Sequence, residues 1–443
     1  APTNRATGFA RRPSEMTGRH PGTEHTKGSN ASDVLELFPD TAAVADGELV
    51  LGGVRASALA QEFGTPLVVY CRETVLARAR AYARVDPDAL VVYGTKAFPN
   101  VALLRLLAAE GVGADVSTLG ELEFARRAGV SGERLVFHGN NKSDAELRAA
   151  AEAGALVVLD ALEEIERAAA AGVRRVLVRL TPGIEAETHR AIRTAHAESK
   201  FGLSPDEAVV AVADSRAAGL DVLGLHVHIG SQLTRASESL LAVERMVEVA
   251  KRCDAWAPSV FNLGGGLGVR HSRDDPVLEP AAFAGELVGD LRERWTDPAQ
   301  LILEPGRSLI GQAGVTLYEV GAVKHTTAAI DGGMSDNPRP QLYGARYEAL
   351  LANRVDEPTL GPYRIAGKHC ESGDVLIDAV ELPEPRRGDV LAVPATGGYT
   401  LAMASNYNSV ARPAAVLVAD GRAQLIRRRE TVDDLLRFDR IQG

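Results

Sequence analysis

Reactive side chains stand at the carboxyl ends of four short apolar segments of this sequence. Lys96 closes one segment, His226 and His228 close a second, and Glu304 and Arg307 follow a third. The fourth segment ends in a run of glycines. These residue types can form an imine, stack on an aromatic ring, hold a ring nitrogen and bind an anion through backbone N–H groups. Each group has another explanation when it is taken alone, so the combination carries the information.

Lys96 closes the apolar segment Ala89–Ala97. If that segment is a barrel strand, its end places the amine in the barrel mouth, where burial lowers the pKa of a lysine. A lowered pKa favours the free amine that imine formation requires. The alternative is a lysine whose aliphatic stem extends along the surface and carries its charge to solvent.

His226 and His228 share one face of their segment, because side chains alternate along a strand. Two histidines at this spacing could bind a metal ion, but no third ligand of a suitable type is near in sequence, and we predict no metal. A ring stacked on an aromatic cofactor is the second interpretation, and a hydrogen-bonded core histidine is the third. We assign the stacking role to His228, which lies nearer the strand end.

Glycines follow the seventh apolar segment at Gly264, Gly265, Gly266 and Gly268. Without side chains, their backbone N–H groups could close around a phosphate, and a following helix N-terminus would add its dipole. A tight turn explains such a cluster equally well.

The eighth segment ends in Glu304-Pro305-Gly306-Arg307. The carboxylate and the guanidinium could form a structural ion pair. Alternatively, Glu304 protonates a pyridine nitrogen while Arg307 holds a phosphate or a carboxylate. Taken together, the four groups match the requirements of pyridoxal 5'-phosphate, and they predict that cofactor.

The elements that would position these groups alternate between strands and helices. Eight apolar segments are separated by segments with helical periodicity, which favours a (β/α)8 barrel with its chemistry at the carboxyl ends of the strands. An open, doubly wound sheet is the alternative. The predicted strands are Ala89–Ala97, Gly113–Thr118, Leu135–Asn140, Leu156–Asp160, Arg175–Thr181, Leu223–Gly230, Val260–Gly266 and Leu301–Arg307.

Outside the barrel the pattern predicts a mostly β domain built from both ends of the chain. We assign residues 33–70 and 316–443 to that domain, residues 71–315 to the barrel, and residues 1–32 to a disordered tail. The β strands predicted there are Leu49–Val54, Pro66–Tyr70, Val315–Val323, Val375–Leu382, Asp389–Val393 and Ala414–Ala419.

Composition excludes several classes of protein. The net charge of −10 over 443 residues argues against a nucleic-acid-binding protein. No apolar run approaches the roughly 20 residues that span a membrane, so we expect no membrane partner. Three widely spaced cysteines form neither a disulfide framework nor a zinc pattern, and we expect a cytoplasmic location.

From about residue 37 onward the sequence resembles the pyridoxal-phosphate enzymes of the alanine-racemase-like fold, and among them the diaminopimelate decarboxylases. The motifs that carry the resemblance are Gly183-Ile184-Glu185-Ala186 through Ser199-Lys200-Phe201-Gly202, His228-Ile229-Gly230-Ser231, Glu304-Pro305-Gly306-Arg307, Asp331-Gly332-Gly333-Met334 with Arg339-Pro340 and Tyr343, Cys370-Glu371-Ser372-Gly373-Asp374, and Tyr399 before Met403-Ala404-Ser405-Asn406-Tyr407-Asn408. Two features depart from the family pattern: a longer N-terminal tail and a varied loop at 194–198.

The resemblance implies a role for each matching residue. Lys96 would hold the cofactor as an internal aldimine, and Cys370 would donate the proton that replaces CO2. The implied cofactor-binding set is Lys96, Asp115, His228, Ser231, Gly264, Gly265, Gly266, Glu304, Pro305, Gly306, Arg307 and Tyr399. The implied substrate-binding set is Arg307, Arg339, Tyr343, Glu371 and Tyr399. The loop that carries Cys370 would complete the neighbouring subunit's site, which implies a homodimer with shared active sites.

The implied reaction is the decarboxylation of meso-2,6-diaminopimelate to L-lysine, the last step of lysine biosynthesis. Arg339 and Glu371 would recognise the distal carboxylate and the distal amine. Related decarboxylases of ornithine, arginine or carboxynorspermidine are the first alternative. An alanine racemase, a lysine-imine aldolase and a catalytically inactive binding protein are further alternatives, although the last predicts the loss of Lys96, Glu304 or Cys370.

Overall fold

The computed structural model of the chain describes residues 31–183, 199–277 and 279–440. The predicted tail therefore lies outside the described residues, apart from Ala31 and Ser32, which begin the first helix. The motif that runs from Gly183 to Gly202 also lies outside them at residues 184–198.

Short strands and helices precede the barrel. They are α1 (Ala31–Leu35), β1 (Ala43–Ala45), β2 (Glu48–Leu51), β3 (Val54–Arg55), α2 (Ala56–Phe63), β4 (Leu67–Cys71) and α3 (Arg72–Ala83). The strand predicted at Leu49–Val54 is two strands, because Gly52 and Gly53 both adopt positive φ in the turn between β2 and β3.

Eight parallel strands then close into a barrel, as predicted. They are β5 (Leu90–Gly94), β6 (Gly113–Val116), β7 (Leu135–Phe137), β8 (Leu156–Leu159), β9 (Arg175–Leu180), β10 (Asp221–Val227), β11 (Val260–Asn262) and β12 (Gln300–Leu303). Strand β12 pairs with β5 to complete the closure. The observed strands stop short of the predicted ends, so Lys96, His228 and Glu304 lie just beyond their strands, while His226 remains within β10.

Helices separate the barrel strands and cover them on the outside. They are α4 (Val101–Ala109), α5 (Leu119–Ala128), α6 (Asp144–Glu152), α7 (Glu164–Ala170), α8 (Pro205–Ala217), α9 (Ser237–Arg252), α10 (Pro280–Arg294) and α11 (Arg307–Ile310). Sequence signals fix several of their starts. Ser143 and Glu146 form a capping box at α6, and Ser204 and Glu207 form another at α8, where Pro205 occupies the first turn.

The barrel interior is filled by a cluster made only of strand residues. Apolar side chains from six of the strands pack there, and their alternate neighbours face the helices. The buried members of the cluster are Val92, Val136, Leu156, Val158, Leu177, Val260 and Ile302. This column of apolar residues forms the floor beneath the mouth of the barrel.

The chain ends in a mostly β region. Its elements are β13 (Gly314–Lys324), β14 (Thr327–Ile330), α12 (Arg339–Tyr343), β15 (Leu350–Leu351), β16 (Gly361–Ala366), β17 (Val375–Leu382), β18 (Val390–Val393), β19 (Ala414–Ala419), β20 (Arg422–Arg427) and α13 (Val432–Leu436). Strand β4 pairs with β13 and with β19, so an early strand enters the late sheet. This pairing supports the proposed β domain built from both chain ends.

Five strands of this fold were not predicted: β1, β14, β15, β16 and β20. None of the helices in the described ranges has the length and apolar character that a membrane span requires.

Candidate active site

A cavity of about 510 Å³ opens at the carboxyl ends of the barrel strands. Many of the predicted site residues line it: Lys96, His228, Ser231, Gly266, Glu304, Gly306, Arg307, Tyr343 and Tyr399. Other predicted residues are not part of the cavity lining within the described chain: Asp115, Gly264, Gly265, Pro305, Arg339, Cys370 and Glu371.

Alternation along the strands explains how the barrel builds this cavity. Two residues beyond an interior apolar residue, the next side chain on the same face reaches the mouth. Val136 is followed in this way by His138, Val260 by Asn262, and Ile302 by Glu304. The apolar floor therefore passes directly into a polar wall.

The amine of Lys96 contacts Asp115 at the end of β6. Lys96 Nζ lies 2.6 Å from Asp115 Oδ2, and the Asp115 side chain is only 1% exposed. Burial acts to lower the pKa of Lys96, but the charge and hydrogen bond of Asp115, together with the charges of Tyr399 and Glu304, outweigh it, so the pKa is raised. The sequence argument that burial alone would lower this pKa was therefore wrong, because it did not include a carboxylate at hydrogen-bonding distance.

Glu304 accepts hydrogen bonds from three sides. His138 Nε2 lies 2.7 Å from Glu304 Oε1, and Asn262 Nδ2 donates to the same oxygen at 2.6 Å. His226 Nε2 lies 3.3 Å from Glu304 Oε2. Burial acts to raise the pKa of Glu304, but the two histidines lower it well below its ordinary value. Glu304 is thus held as a carboxylate at the cavity wall.

Candidate ligand atoms of His138, His226 and Glu304 all lie within 4.8 Å of one another. The prediction that no metal binds here relied on the lack of a third ligand near in sequence. Folding brings His138 and Glu304 to His226 from remote strands, and the described cluster does not include His228, the other histidine of the predicted pair. Spacing along the chain does not reveal this grouping. The same three groups can hold either a metal ion or the ring nitrogen of a cofactor.

The glycines after β11 serve mainly the packing of strand ends. A Cβ on Gly264 would lie 2.2 Å from the Val227 carbonyl oxygen, and one on Gly265 would lie 2.1 Å from that of Glu304. The N–H of Gly265 donates to His228 Nδ1 at 3.3 Å. Only Gly266, at φ +118°, reaches the cavity lining. Of the three predicted phosphate-binding glycines, it is the one placed to meet a ligand.

His228 lies in the cavity wall, and burial lowers its pKa well below the ordinary value. A neutral imidazole suits stacking on an aromatic ring better than a charged one.

Pro305, which was predicted to bind the cofactor, takes part in barrel closure, since its carbonyl oxygen accepts the N–H of Gly94 at 3.1 Å.

Two buried guanidinium groups, Arg307 in the cavity lining and Arg339 close to it, have nitrogens without hydrogen-bond partners. Arg307 lies over the Tyr399 ring at 4.4 Å and donates to Ser231 Oγ at 3.2 Å, yet its Nε and one terminal nitrogen have no partner. Burial and the nearby charge of Arg339 lower the pKa of Arg307 to about 10. Within the described chain, neither arginine forms an ion pair with a carboxylate.

Arg339 is held by neutral partners. One of its terminal nitrogens lies 2.7 Å from His271 Nε2 and 2.7 Å from the Tyr347 hydroxyl, and its Nε has no partner. A pair of buried cations without a counter-charge favours the binding of an anion.

Cys370 and Glu371 lie outside this cavity, and both are exposed. The N–H of Cys370 donates to Asn408 Oδ1 at 3.0 Å, and the preceding His369 pairs with Asp374 through Nδ1 at 2.6 Å. One chain alone therefore does not bring the predicted proton donor to Lys96.

Sequence analysis missed several residues of the cavity wall. They are His138, Asn140, Asn141 and Arg179, and Asn262 behind them. Arg179 pairs with Asp160 at 3.3 Å and lies over the Phe201 ring at 4.5 Å. The signal that finds His138, Arg179 and Asn262 is a polar residue two positions beyond an interior apolar one.

Comparison with known proteins places this geometry in context. The family described as pyridoxal-dependent decarboxylase, pyridoxal binding domain, matches residues 72–311. A protein of Bacillus subtilis (strain 168) named diaminopimelate decarboxylase is 42% identical over 424 residues, covering 89% of this chain and 95% of the relative. A protein of the same name from Actinosynnema pretiosum is 43% identical, covering 90% and 94%.

Solved structures agree with these relatives. Diaminopimelate decarboxylase from M. jannaschii, crystallised with L-lysine, superposes with a TM-score of 0.85 at 33% identity, covering 91% of this chain and 98% of that one. A lysine/ornithine decarboxylase from Vibrio vulnificus, crystallised with cadaverine, gives a TM-score of 0.71 at 26% identity, covering 82% and 96%.

Proposed function

Because the chain belongs to the diaminopimelate decarboxylase family of pyridoxal-dependent enzymes, we propose that it converts meso-2,6-diaminopimelate to L-lysine and CO2 as the last step of lysine biosynthesis. The protein is a carboxy-lyase that uses pyridoxal phosphate. The observation that carries the proposed reaction is one cavity that joins a lysine, a buried carboxylate and the guanidinium of Arg307, which has no carboxylate partner in the described chain.

The residues present fit the cofactor. Lys96 would hold the aldehyde carbon, Glu304 would face the ring nitrogen, and His228 would lie against the ring. Ser231, Gly266, Gly306 and Arg307 are available for the phosphate. When bound, the cofactor supplies an electron sink for the bond to the α-carboxylate.

The protein's own residues must then orient the substrate and stabilise the charges that develop on it and on the cofactor. A carboxylate held near His138 and His226 remains ionised and favours a protonated ring nitrogen, which deepens that sink. The apolar floor beneath excludes water from below. A metal ion at the same three groups would compete for Glu304, and family membership favours the ring nitrogen.

Substrate selection would depend on the second amino-acid centre of diaminopimelate. Arg307 and Tyr343 line the cavity, and Arg339 adds a second positive charge close by. An unpaired buried cation favours a ligand with an extra carboxylate over one without it. We propose that this excess charge separates diaminopimelate from ornithine and lysine, each of which has a single carboxylate.

The alternative substrates are ornithine, arginine and carboxynorspermidine. The test is CO2 release from meso-diaminopimelate, ornithine, arginine and lysine by the same holoenzyme, together with the absorbance spectrum on adding each substrate. Release from diaminopimelate at least about a thousand-fold faster is expected from pairing of the buried groups. Faster release from ornithine or arginine would transfer the assignment to that substrate.

Cys370 and Glu371 would act on the partner's substrate in a homodimer. Their exposure and their absence from the cavity of their own chain support this proposal. Cys370 would deliver a proton to the carbon that loses CO2, since a thiol can cycle through thiolate near a cationic group.

Mixing two inactive variants tests the shared site. Lys96→Ala and Cys370→Ala chains should each be inactive or slow, and random reassociation should restore about a quarter of wild-type sites, because half of the dimers carry one complete site. A mixture of two Lys96→Ala preparations is the matched control. No restoration in a mixture shown to exchange subunits would remove the shared-site proposal.

A further inference from the structure

Two carboxylates near Lys96, Asp115 and Glu304, lie beside one imidazole. His138 Nε2 is 2.7 Å from Glu304 Oε1 and 3.7 Å from Asp115 Oδ1. The other oxygen of Asp115 contacts Lys96 at 2.6 Å. A continuous row of groups therefore runs from the amine of Lys96 through Asp115 and His138 to the carboxylate of Glu304.

The row has one vacant acceptor. Asp115 Oδ1 is buried and has no hydrogen-bond partner. Leaving a buried acceptor unsatisfied is costly, so a donor that can reach it will be drawn to it. The nearest candidate in the row is His138, whose Nε2 is already bonded to Glu304.

We propose that His138 is a positioning residue that couples Glu304 to Asp115, so that a ligand arriving at Glu304 moves the His138 hydrogen bond to Asp115 and loosens the hold of Asp115 on Lys96. This inference rests on the proposed function, since it takes a ring nitrogen as the group that competes for Glu304. A shift of about 1 Å converts the 3.7 Å separation into a hydrogen bond.

The coupling resolves a difficulty at Lys96. With Asp115 bonded to it alone, the amine keeps its proton, whereas imine formation needs the free amine. A second hydrogen bond to Asp115 spreads the carboxylate's charge and weakens its pull on Lys96. Binding at Glu304 would thus prepare the amine of Lys96.

Two neighbours of Glu304 provide an internal comparison. His226 and Asn262 also bond to Glu304, but no contact between either of them and Asp115 is found within the described chain. The rings of His138 and His226 meet edge to face at 4.8 Å, so they share surroundings. Only His138 spans the two carboxylates.

Other charged groups face this row and are common to all variants. Glu121 on α5 acts electrostatically on the members of the row, Arg179 in β9 acts on the neighbouring His226 and His228, and His228 interacts with Lys96. None of these residues is altered in the His138 and His226 variants, so their influence is the same in every protein compared.

The variants are His138→Leu, which removes the donor, His138→Gln, which keeps an N–H at similar reach, and His226→Leu as the matched control. The measurement is the pH midpoint of the bound-cofactor absorbance band, with the rate at which apoprotein captures pyridoxal phosphate at neutral pH. For His138→Leu we expect the midpoint to rise by about one pH unit and capture to slow about tenfold, because a one-unit shift is a tenfold change in free amine.

His138→Gln should lie close to wild type, and His226→Leu should leave the midpoint within about 0.3 unit, since it does not touch Asp115. Equal midpoints for wild type and His138→Leu, or equal shifts for the two leucine variants, would overturn the coupling. If His138→Leu does not fold, His138→Asn replaces it with the same expected shift, because its shorter amide stops short of both carboxylates.

Failure of the proposed function gives a different result. Wild-type protein would then show no lysine-dependent cofactor band or no CO2 release from diaminopimelate. A normal wild-type band with indistinguishable variants would reject the His138 inference alone.

Discussion

The charged residues at and near the cavity form two groups, which we call the paired side and the unpaired side, and they differ in whether each charge has a partner. On one side, Lys96 meets Asp115 and Glu304 meets His138, so each charge has a partner within hydrogen-bonding distance. On the other side, Arg307 and Arg339 are buried at 7% and 4% exposure without any carboxylate partner in the described chain. The charges on the paired side have partners before a ligand arrives, although Asp115 Oδ1 lacks a hydrogen bond, and the charges on the unpaired side gain a partner from the ligand.

That difference separates two tasks. A reacting centre benefits from groups fixed in advance, because reorganisation during the reaction adds to the barrier. A binding site benefits from an unmet charge, because a ligand anion then relieves an existing cost. We therefore expect changes on the paired side to affect turnover and stability, and changes on the unpaired side to affect ligand affinity without loss of stability.

The largest effect should follow from Lys96→Ala on the paired side. Loss of the amine should abolish the absorbance band of lysine-bound cofactor and lower decarboxylation by at least about a thousand-fold, in the upper range for removal of a reacting group. Absorbance spectroscopy after dialysis and a CO2-release assay test this. A dialysed variant that retains the band and turns over normally would show that the paired side is not the reacting centre.

The residues of the paired side show which parts of the site could be predicted from the sequence. Alternation of apolar segments with helical ones predicted the eight barrel strands, and strand ends predicted Lys96 and Glu304. His138 and Asn262 were missed because their strands, β7 and β11, are three residues long and show little alternation. The raised pKa of Lys96 was also out of reach, since it depends on a distance to Asp115 that barrel closure sets.

Outside the barrel, sequence signals were weaker for a physical reason. Strand β14 reads Thr-Ala-Ala-Ile and β15 has two residues, so neither presents a β-branched run of useful length. Pairing with β13 and β18 creates these strands, and pairing is a tertiary contact. The lack of a carboxylate partner for Arg307 also depends on tertiary structure. Glu304 stands three residues before Arg307 in the sequence and could have paired with it, but in the fold it is hydrogen-bonded to two histidines.

An intermediate effect is expected from pH on the paired side. Burial lowers the pKa of His226 from 6.5 to about 4. Because the unfolded chain takes up this proton at higher pH than the folded one, stability should fall as pH drops from about 6.5 to 4, by at most about 3 kcal/mol from this residue. Glu304 acts in the same direction at lower pH, since its pKa is also lowered and its contribution is lost on protonation.

Denaturant unfolding between pH 7 and pH 4 measures this loss, with His226→Gln as the comparison. The variant removes one titrating imidazole and keeps an N–H donor for Glu304, so its stability should depend less steeply on pH. Identical slopes for the two proteins would mean that folding does not lower the pKa of His226, so that its imidazole takes up a proton as readily in the folded chain as in the unfolded one.

The smallest effect should come from Arg307→Met on the unpaired side. Methionine keeps much of the side-chain volume over Tyr399 while removing a buried cation that has no counter-charge. We expect KM for diaminopimelate at saturating cofactor to rise about 10- to 100-fold, as for loss of a charge-assisted hydrogen bond, with a melting temperature no lower than that of wild type. A marked fall in melting temperature with unchanged KM would reverse the comparison, because Arg307 would then hold the fold together and a different cation would meet the substrate.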